Sequence, residues 1–370
     1  MTKVHEILEE YKLFPPTGHD YPVLTLTEKN GFVHQSDRFN KRLATEDTSK
    51  YKVISMEDIA FNPYLLWAGA IAQNTIVNKG IISPLYPTFR VKEGYHPRYV
   101  AMLLLSPTVI KMYDNIAFGS VPRRRRTSIK DFLSLTIPTP PSYEEQKRIV
   151  AILDKAKSIQ EARERQLAAL DELASSLFQS VNRLSNTKVT LGEVLSFSSR
   201  SIIPGAEHQN MPNIGPDCIE PNTGFLKGWR TIQEDSAISA KYLFTEGDIL
   251  YSKIRPYLNK VSIADFTGLC SSEIYPLTVK KEIANTYYIT YLLRSSIFLQ
   301  YSELNSTGAN IPRINKSNIE KFEFELPDLN IQNIFAEKIK KILHTRSFVQ
   351  SSLEEYKLLL RSLQSSLFIH

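Results

Sequence analysis

The chain has 370 residues, 42% of them hydrophobic and 23% charged. That length gives about two or three domains at roughly 150 residues each, and the balance excludes a disordered or fibrous chain. A formal charge of +6 with a pI near 9.0 permits a polyanionic partner without requiring one.

The N-terminal segment, MTKVHEILEEYK, is charged and helical in pattern, without the apolar stretch of a signal peptide. No later run approaches the roughly 18 to 20 apolar residues needed to cross a bilayer, so no membrane partner is expected. Two cysteines, Cys218 and Cys270, form neither a CxxC nor a disulfide framework, and a reducing cytoplasm suits them. From residue 1 to about 140, short β-branched and aromatic runs alternate with Gly, Pro and Asn, the pattern of a small mixed α/β domain. Its landmarks are Asp58-Ile59, Asn62-Pro63-Tyr64, Trp67, Tyr86-Pro87 and the 119–129 loop with Arg123, Arg124, Arg125 and Arg126. After Pro138-Thr-Pro140-Pro141, the capping box Ser142-Tyr-Glu-Glu145 opens a helix that meets no Gly or Pro until about residue 184. Its apolar positions are Ile149, Leu153, Ala156, Leu167, Leu170, Ala174, Leu177, Val181 and Leu184, interrupted at Gln160 and Arg163.

The same succession then returns at a shift near 190, the mark of a duplicated domain. His5-Glu6-Ile7-Leu8 matches Gly192-Glu193-Val194-Leu195, Asp58-Ile59 matches Asp248-Ile249, and Tyr86-Pro87 matches Tyr275-Pro276. Leu103-Leu-Leu-Ser106 matches Leu292-Leu-Arg-Ser295, and Pro122 to Phe132 has the spacing of Pro312 to Phe322. Phe322-Glu-Phe-Glu-Leu326 alternates as a half-buried strand does. A second helix follows Pro327-Asp328, with Phe335, Ile339, Ile342, Val349, Leu353, Tyr356, Leu360, Leu363 and Leu367 on its stripe and Arg346 interrupting it. A period of 3.5 residues sustained this long is a coiled-coil seam, and each helix of about 40 residues would run about 60 Å. Two matching seams in one chain favour mutual pairing over two separate core helices. The simplest closed arrangement is antiparallel with a pseudo-twofold. The expected fold is therefore α+β: mixed domains over 1–140 and 184–326, joined by coiled-coil helices over 141–183 and 327–370.

Catalytic motifs are missing from this frame. Asn62-Pro63-Tyr64 lacks the second proline of an adenine-methyltransferase motif, and no Gly-rich turn for S-adenosylmethionine precedes it. Pro327-Asp328 could begin a nuclease site only with Glu355-Tyr-Lys357, which reads as heptad charge. No GxxxxGK(S/T), HExxH or GxSxG occurs, and the seven histidines pair with no cysteine at metal-ligand spacing. A binding constellation remains. The Arg123–126 run is matched in the second copy by Arg313, Asn315 and Lys316, and both loops follow a glycine. Arginine reads guanine and asparagine reads adenine in the major groove, and both bind phosphate, although an arginine run alone is commonly solvated surface. A second cluster holds Lys253, Arg255, Tyr257 and Asn259. Its first-copy counterpart, Asn62 to Trp67, lacks the basic groups, so the halves should read different sequences. Tyr64 and Trp67 read as packing residues rather than base contacts.

With these features the chain resembles, over its full length, the specificity (S) subunits of type I restriction–modification systems. The most specific match is Ile137-Pro138 through Pro141-Ser-Tyr-Glu-Glu145-Gln146-Lys-Arg-Ile149, similar to that family's strand-to-helix junction. The second copy, Pro327-Asp-Leu-Asn-Ile-Gln332, lacks its acidic residue. Leu191-Gly192-Glu193 likewise resembles the family's LGE opening. The resemblance implies a non-catalytic subunit whose two target-recognition domains each read half of a split, asymmetric site in double-stranded DNA. It also implies paired helices that hold the halves apart, two docked methyltransferase (M) subunits, and restriction (R) nuclease/translocase subunits. No cofactor is expected on this chain; S-adenosylmethionine and ATP with Mg belong to the partners. Two alternatives stay open: a protein-binding adaptor, and a solitary S-like protein that competes for the methyltransferase.

Overall fold

The computed structural model describes residues 1–27, 30–38, 47–119, 125–184, 187–198 and 201–368. The chain forms two compact units, Met1–Ala162 with Ser352–His370, and Arg163–Ser351. The division passes through both long helices, Tyr143–Asn182 and Leu329–Leu367, so each unit contains one half of each. The domain limits read from the sequence follow secondary structure, whereas the compact units cross them.

The first unit is built on a four-stranded antiparallel sheet in the order Leu8–Tyr11, Thr88–Val91, Ile59–Phe61, Ile71–Gln73. Thr2–Lys3 pairs with Thr136–Ile137 and leads into the short helix Val4–Ile7. There the Glu6 carboxylate accepts the Lys3 N–H at 2.9 Å. Helices Pro97–Leu104 and Pro107–Asp114 each begin with proline, whose missing N–H is no loss in a first turn. A third helix, Ile129–Ser134, carries Phe132 into the core. The Phe132 ring packs on Phe61 and Phe89 at 4.6 and 5.3 Å.

The second unit repeats this plan. Its central sheet runs Leu195–Phe197, Ile274–Val279, Ile249–Ser252, Val261–Ile263, again wholly antiparallel. Thr187–Thr190 pairs with Glu323–Leu326, where Phe324 and Leu326 are buried and Glu323 and Glu325 exposed, as the alternation predicts. Glu193 accepts the Thr190 N–H at 2.6 Å, as Glu6 does in the first copy. Helices Thr286–Arg294, Ser296–Leu304 and Lys316–Glu320 complete the correspondence. Even the turn before the central strand is repeated: Asp58 accepts the Ser55 N–H at 2.9 Å and Asp248 the Thr245 N–H at 2.7 Å. Burial raises the Asp58 carboxyl above the usual range.

The copies differ outside this core. The second carries a five-stranded mixed sheet, Ser201–Ile202, Lys241–Phe244, Gly268–Ser271, Pro212–Ile214, Arg230–Thr231, with one parallel pair. The first has two separate antiparallel pairs instead, Leu24–Thr27 with Gly31–His34 and Lys52–Ser55 with Lys79–Ile82.

Within each unit the helix halves pack antiparallel. In the first, Ile149, Val150 and Leu153 share a core with Leu360, Leu363, Leu367 and Phe368, and the Tyr356 hydroxyl donates to the Ala156 carbonyl at 3.0 Å. In the second, Ala174, Leu177, Phe178 and Val181 pack with Phe335, Ile339 and Ile342. Leu167 and Leu353 are also buried, and Leu170 is half-buried. The interruption at Arg346 is buried against this seam. Its guanidinium grips Asp171 at 2.6 and 3.1 Å and lies 4.8 Å from the Phe225 ring.

One glutamine seats each helix. Gln146 accepts the His96 N–H and donates to the Pro141 carbonyl, both at 2.8 Å. Gln332 accepts the Asn285 N–H at 2.8 Å and donates to the Pro327 carbonyl at 2.7 Å. His96 and Asn285 are the N-cap residues of equivalent helices, so one amide ties helix start, proline corner and domain together. Replacing Gln332 by Leu leaves a buried donor and acceptor unmatched. Urea unfolding is expected to show a loss of about 2 to 4 kcal/mol; a change below about 0.5 kcal/mol would contradict this role.

Candidate nucleic-acid interface

Each copy assembles a composite edge from two segments distant in sequence. In the first unit the strand Ile59–Phe61 runs into a turn in which the Asn62 carboxamide oxygen accepts the Tyr64 N–H at 3.0 Å. A single 3-10 turn, Leu66–Ala68, follows and ends at Gly69 with φ +86°, a left-handed conformation glycine adopts without strain. The second segment lies alongside: the Thr127 N–H donates to the Pro63 carbonyl at 2.9 Å, and Phe118 and Arg126 exchange main-chain hydrogen bonds. Asn62-Pro63-Tyr64 is thereby a structural turn.

In the second unit the strand Ile249–Ser252 continues into the turn Pro256–Leu258. Arg255 and Asn259 flank that turn, both left-handed at φ 47° and 49°. The Ile314 N–H donates to the Lys253 carbonyl at 3.0 Å, and the Arg255 N–H to the Pro312 carbonyl at 2.7 Å. The two clusters read separately in the sequence, Lys253 to Asn259 and Arg313 to Lys316, are therefore one surface. The turn residues Trp67 and Tyr257 occupy equivalent places.

The hydrogen bonds set a register for the loops that differs from the sequence match. Phe118 lies opposite Arg126, and Thr307 opposite Arg313. Ser128 and Asn315 then cap the equivalent helices, and Phe132 and Ile319 are their fully buried residues. Further on, Leu135 accepts the Val4 N–H as Phe322 accepts that of Leu191. The partner of Arg313 is thus Arg126 rather than Arg123, because the first loop is longer (118 to 126 against 307 to 313). The matched proline-to-phenylalanine spacing is no guide to the register. Arg123 and Arg124, like Pro122, lie outside the described residues.

The candidate side chains divide by what they touch. Arg126, Arg255, Tyr257, Arg313, Asn315 and Lys316 are exposed. Arg126 lies 5.6 Å from the Tyr64 ring, Lys253 5.3 Å from Tyr275 and Lys316 4.9 Å from Phe197, so three cations ride on aromatic faces. Arg313 forms a fork with Glu273 at 3.2 and 3.3 Å, and Lys316 sits 3.6 Å from Glu320. Asn259 turns its amide inward to the Arg294 carbonyl at 3.1 Å, and Arg125 turns inward to Asp114. Glu273 and Arg294 escaped the sequence reading as site residues, and Gln146 and Gln332 entered it only as junction residues. The glutamines alone left a signal, as the matched residue of both strand-to-helix junctions.

Among the described residues no group of His, Cys, Asp and Glu could hold a metal ion, and no helix is long and apolar enough to cross a membrane. Pro216-Asp217 opens a 3-10 turn and Glu355 lies on the second long helix.

A duplicated α+β core thus presents a basic and aromatic edge in each copy. Residues 185–355 match the family model of the type I restriction modification DNA specificity domain. The type I restriction enzyme EcoDI specificity subunit of Escherichia coli is 32% identical over 136 residues, 37% of this chain and 30% of that protein. The match thus spans less than a third of that relative. The S subunit of a type I restriction-modification system from M. genitalium aligns over all of this chain and 96% of its own, with a TM-score of 0.58 at 14% identity. A chain from work on complex assembly and conformational transition of the type I R-M system aligns over 99% and 96%, with a TM-score of 0.55 at 15% identity. At such identities the likeness is one of fold.

Burial pushes the Cys270 thiol up to about 12, leaving ~10⁻⁴ of it as thiolate at pH 8. A disulfide reagent at that pH is expected to reach Cys270 only on unfolding. Prompt reaction of both thiols in the folded protein would contradict this.

Proposed function

We propose that this chain is the DNA-reading subunit of a type I restriction–modification complex, each of its two domains reading one half of a split, asymmetric duplex target. The observation that carries this is the composite edge: one backbone scaffold, built twice, with different side chains displayed on it. Tyr64, Trp67 and Arg126 stand in one copy where Ile254, Tyr257 and Arg313 stand in the other, and Lys253, Arg255, Asn315 and Lys316 have no basic or amide counterpart among the first copy's described residues. Equivalent scaffolds with unlike chemistry suit a non-palindromic site, because a palindrome would call for like chemistry. The phosphate backbone supplies the bulk of affinity through Lys and Arg, and base edges supply the discrimination.

In this reading the chain performs no chemistry itself. Methyl transfer from S-adenosylmethionine belongs to two docked methyltransferase subunits, and ATP-driven translocation and cleavage belong to restriction subunits. The long helices serve as the spacer between the two readers and as the platform on which the methyltransferase subunits dock.

The test is duplex binding by the chain assembled with its methyltransferase subunit, followed by fluorescence anisotropy across a salt series. Retention of duplex at low salt is expected, with log affinity falling linearly in log salt. Arg255→Ala combined with Lys316→Ala is expected to make that slope shallower by up to about one unit for each phosphate contact removed. An assembled complex that ignores duplex DNA at low salt would overturn the proposal.

A further inference from the structure

Two arginines near the composite edges face inward. Arg125 places Nη1 on the Asp114 carboxylate at 2.5 Å and Nη2 on the main-chain carbonyls of Asp114 and Ala117 at 2.8 and 3.2 Å. Its guanidinium lies 5.6 Å from the Trp67 ring. The fork thus clamps the C-terminal end of the helix Pro107–Asp114 to the turn that carries Trp67.

In the second unit the corresponding clamp comes from elsewhere in the sequence. Arg294, last residue of the helix Thr286–Arg294, donates through Nη2 to the Asn222 carbonyl and stacks 5.3 Å from Tyr291. Its own carbonyl accepts the Asn259 amide at 3.1 Å, and the Asn222 N–H donates to the Asn259 carbonyl at 3.1 Å. Asn259 is the left-handed residue that closes the Tyr257 turn. The loop around Asn222 has no slack. A Cβ at Gly224, where φ is +72°, would fall 2.0 Å from the Val261 carbonyl oxygen. Arg294 and Asn222 therefore hold Asn259, which closes the turn carrying Tyr257, in a left-handed conformation that non-glycine residues rarely adopt.

We propose that Arg125 and Arg294, the latter acting through Asn259, are positioning residues: each fixes an aromatic-bearing turn of its domain's composite edge, and neither touches DNA. The inference rests on the DNA-reading function proposed above. The donors described for both guanidiniums go to groups of their own domain, which is what separates them from Arg126 and Arg255 on the outer face. The two copies reach the same mechanical result from non-equivalent positions. Arg294 stands at the end of the helix matching Pro97–Leu104, whereas Arg125 belongs to the loop before Ile129–Ser134.

The experiment uses the full chain assembled with its methyltransferase subunit, in cells with no other adenine methylation. Methylated adenines are mapped across the genome, and the salt slope of duplex binding is measured for each variant. Arg125→Ala is expected to relax discrimination at least about tenfold in one half of the recognised sequence, and Arg294→Ala in the opposite half. Both should leave the other half and the salt slope unchanged, since no phosphate contact is lost. Arg125→Lys and Arg294→Lys keep the charge but lose the fork; they should give the same half-selective pattern, and they replace any alanine variant that no longer unfolds cooperatively. A slope lowered by about 0.9 would make the arginine a phosphate contact and overturn the proposal. So would an unaltered pattern in a folded variant, equal relaxation of both halves, or full restoration by lysine. A wild-type complex leaving no two-part methylation pattern would instead overturn the DNA-reading function, and needs no variant to be seen.

Discussion

Neither long helix can bury its own apolar stripe. Ile149 and Leu153 at one end and Phe335 and Ile339 at the other are buried only because the opposite helix half and the domain core close over them. A side chain of this size contributes about 1.5 to 3 kcal/mol when fully buried, so exposing a stripe would remove more than a small domain's net stability. Arg346 sharpens the match. A guanidinium buried beside an apolar seam is tolerated because Asp171 meets it in a fork, and a slipped pairing would leave that charge uncompensated at a cost of several kcal/mol. Polar residues at seam positions are known to fix register in this way, at some expense in stability. The domains depend on the same pairing, because Gln146 and Gln332 hydrogen-bond each helix start to the cap of a domain helix.

Against that shared frame, the pattern of change between the copies has a direct meaning. The central four-stranded sheet, the capped entry helix, the aspartate turn and the glutamine seat are repeated almost bond for bond. Divergence is concentrated in the accessory strands and in the side chains on the composite edge. Folding constrains the first group through buried hydrogen bonds and close packing, whereas the edge side chains of the second are mostly exposed and constrained by few contacts. A duplicated chain that retains its frame and varies its outward chemistry is suited to reading two unlike sequences with one architecture.

Much of the frame could be read from the residues alone. The apolar series through Val181 and Leu367 gave both long helices, and the Phe322-to-Leu326 alternation gave a strand, because periodicity reports burial directly. Leu184, the last of the first series, lies past the helix end at Asn182 and is exposed. The duplication showed through short matches such as Asp58-Ile59 with Asp248-Ile249, whose aspartates turned out to close equivalent turns. The loop register did not show, since proline and phenylalanine matched by spacing while the hydrogen bonds follow Phe118–Arg126 and Thr307–Arg313. Nor could the sequence say which arginines point outward. Arg125 and Arg126 are neighbours with the same chemistry, and the nearby Asp114 carboxylate and carbonyls separate an inward clamp from an exposed cation. The junction of Lys253–Asn259 with Arg313–Lys316 is a tertiary contact between segments about 60 residues apart in sequence, which no local pattern encodes.

The central claim is that one chain contains two different readers of duplex DNA. Hydroxyl-radical footprinting of the assembled complex on a methylated genomic site tests it most directly. The account predicts two separate protected tracts, unlike in sequence, with substitution at Arg255 weakening one and leaving the other. A single tract, or two tracts of matching inverted sequence that weaken together, would contradict it.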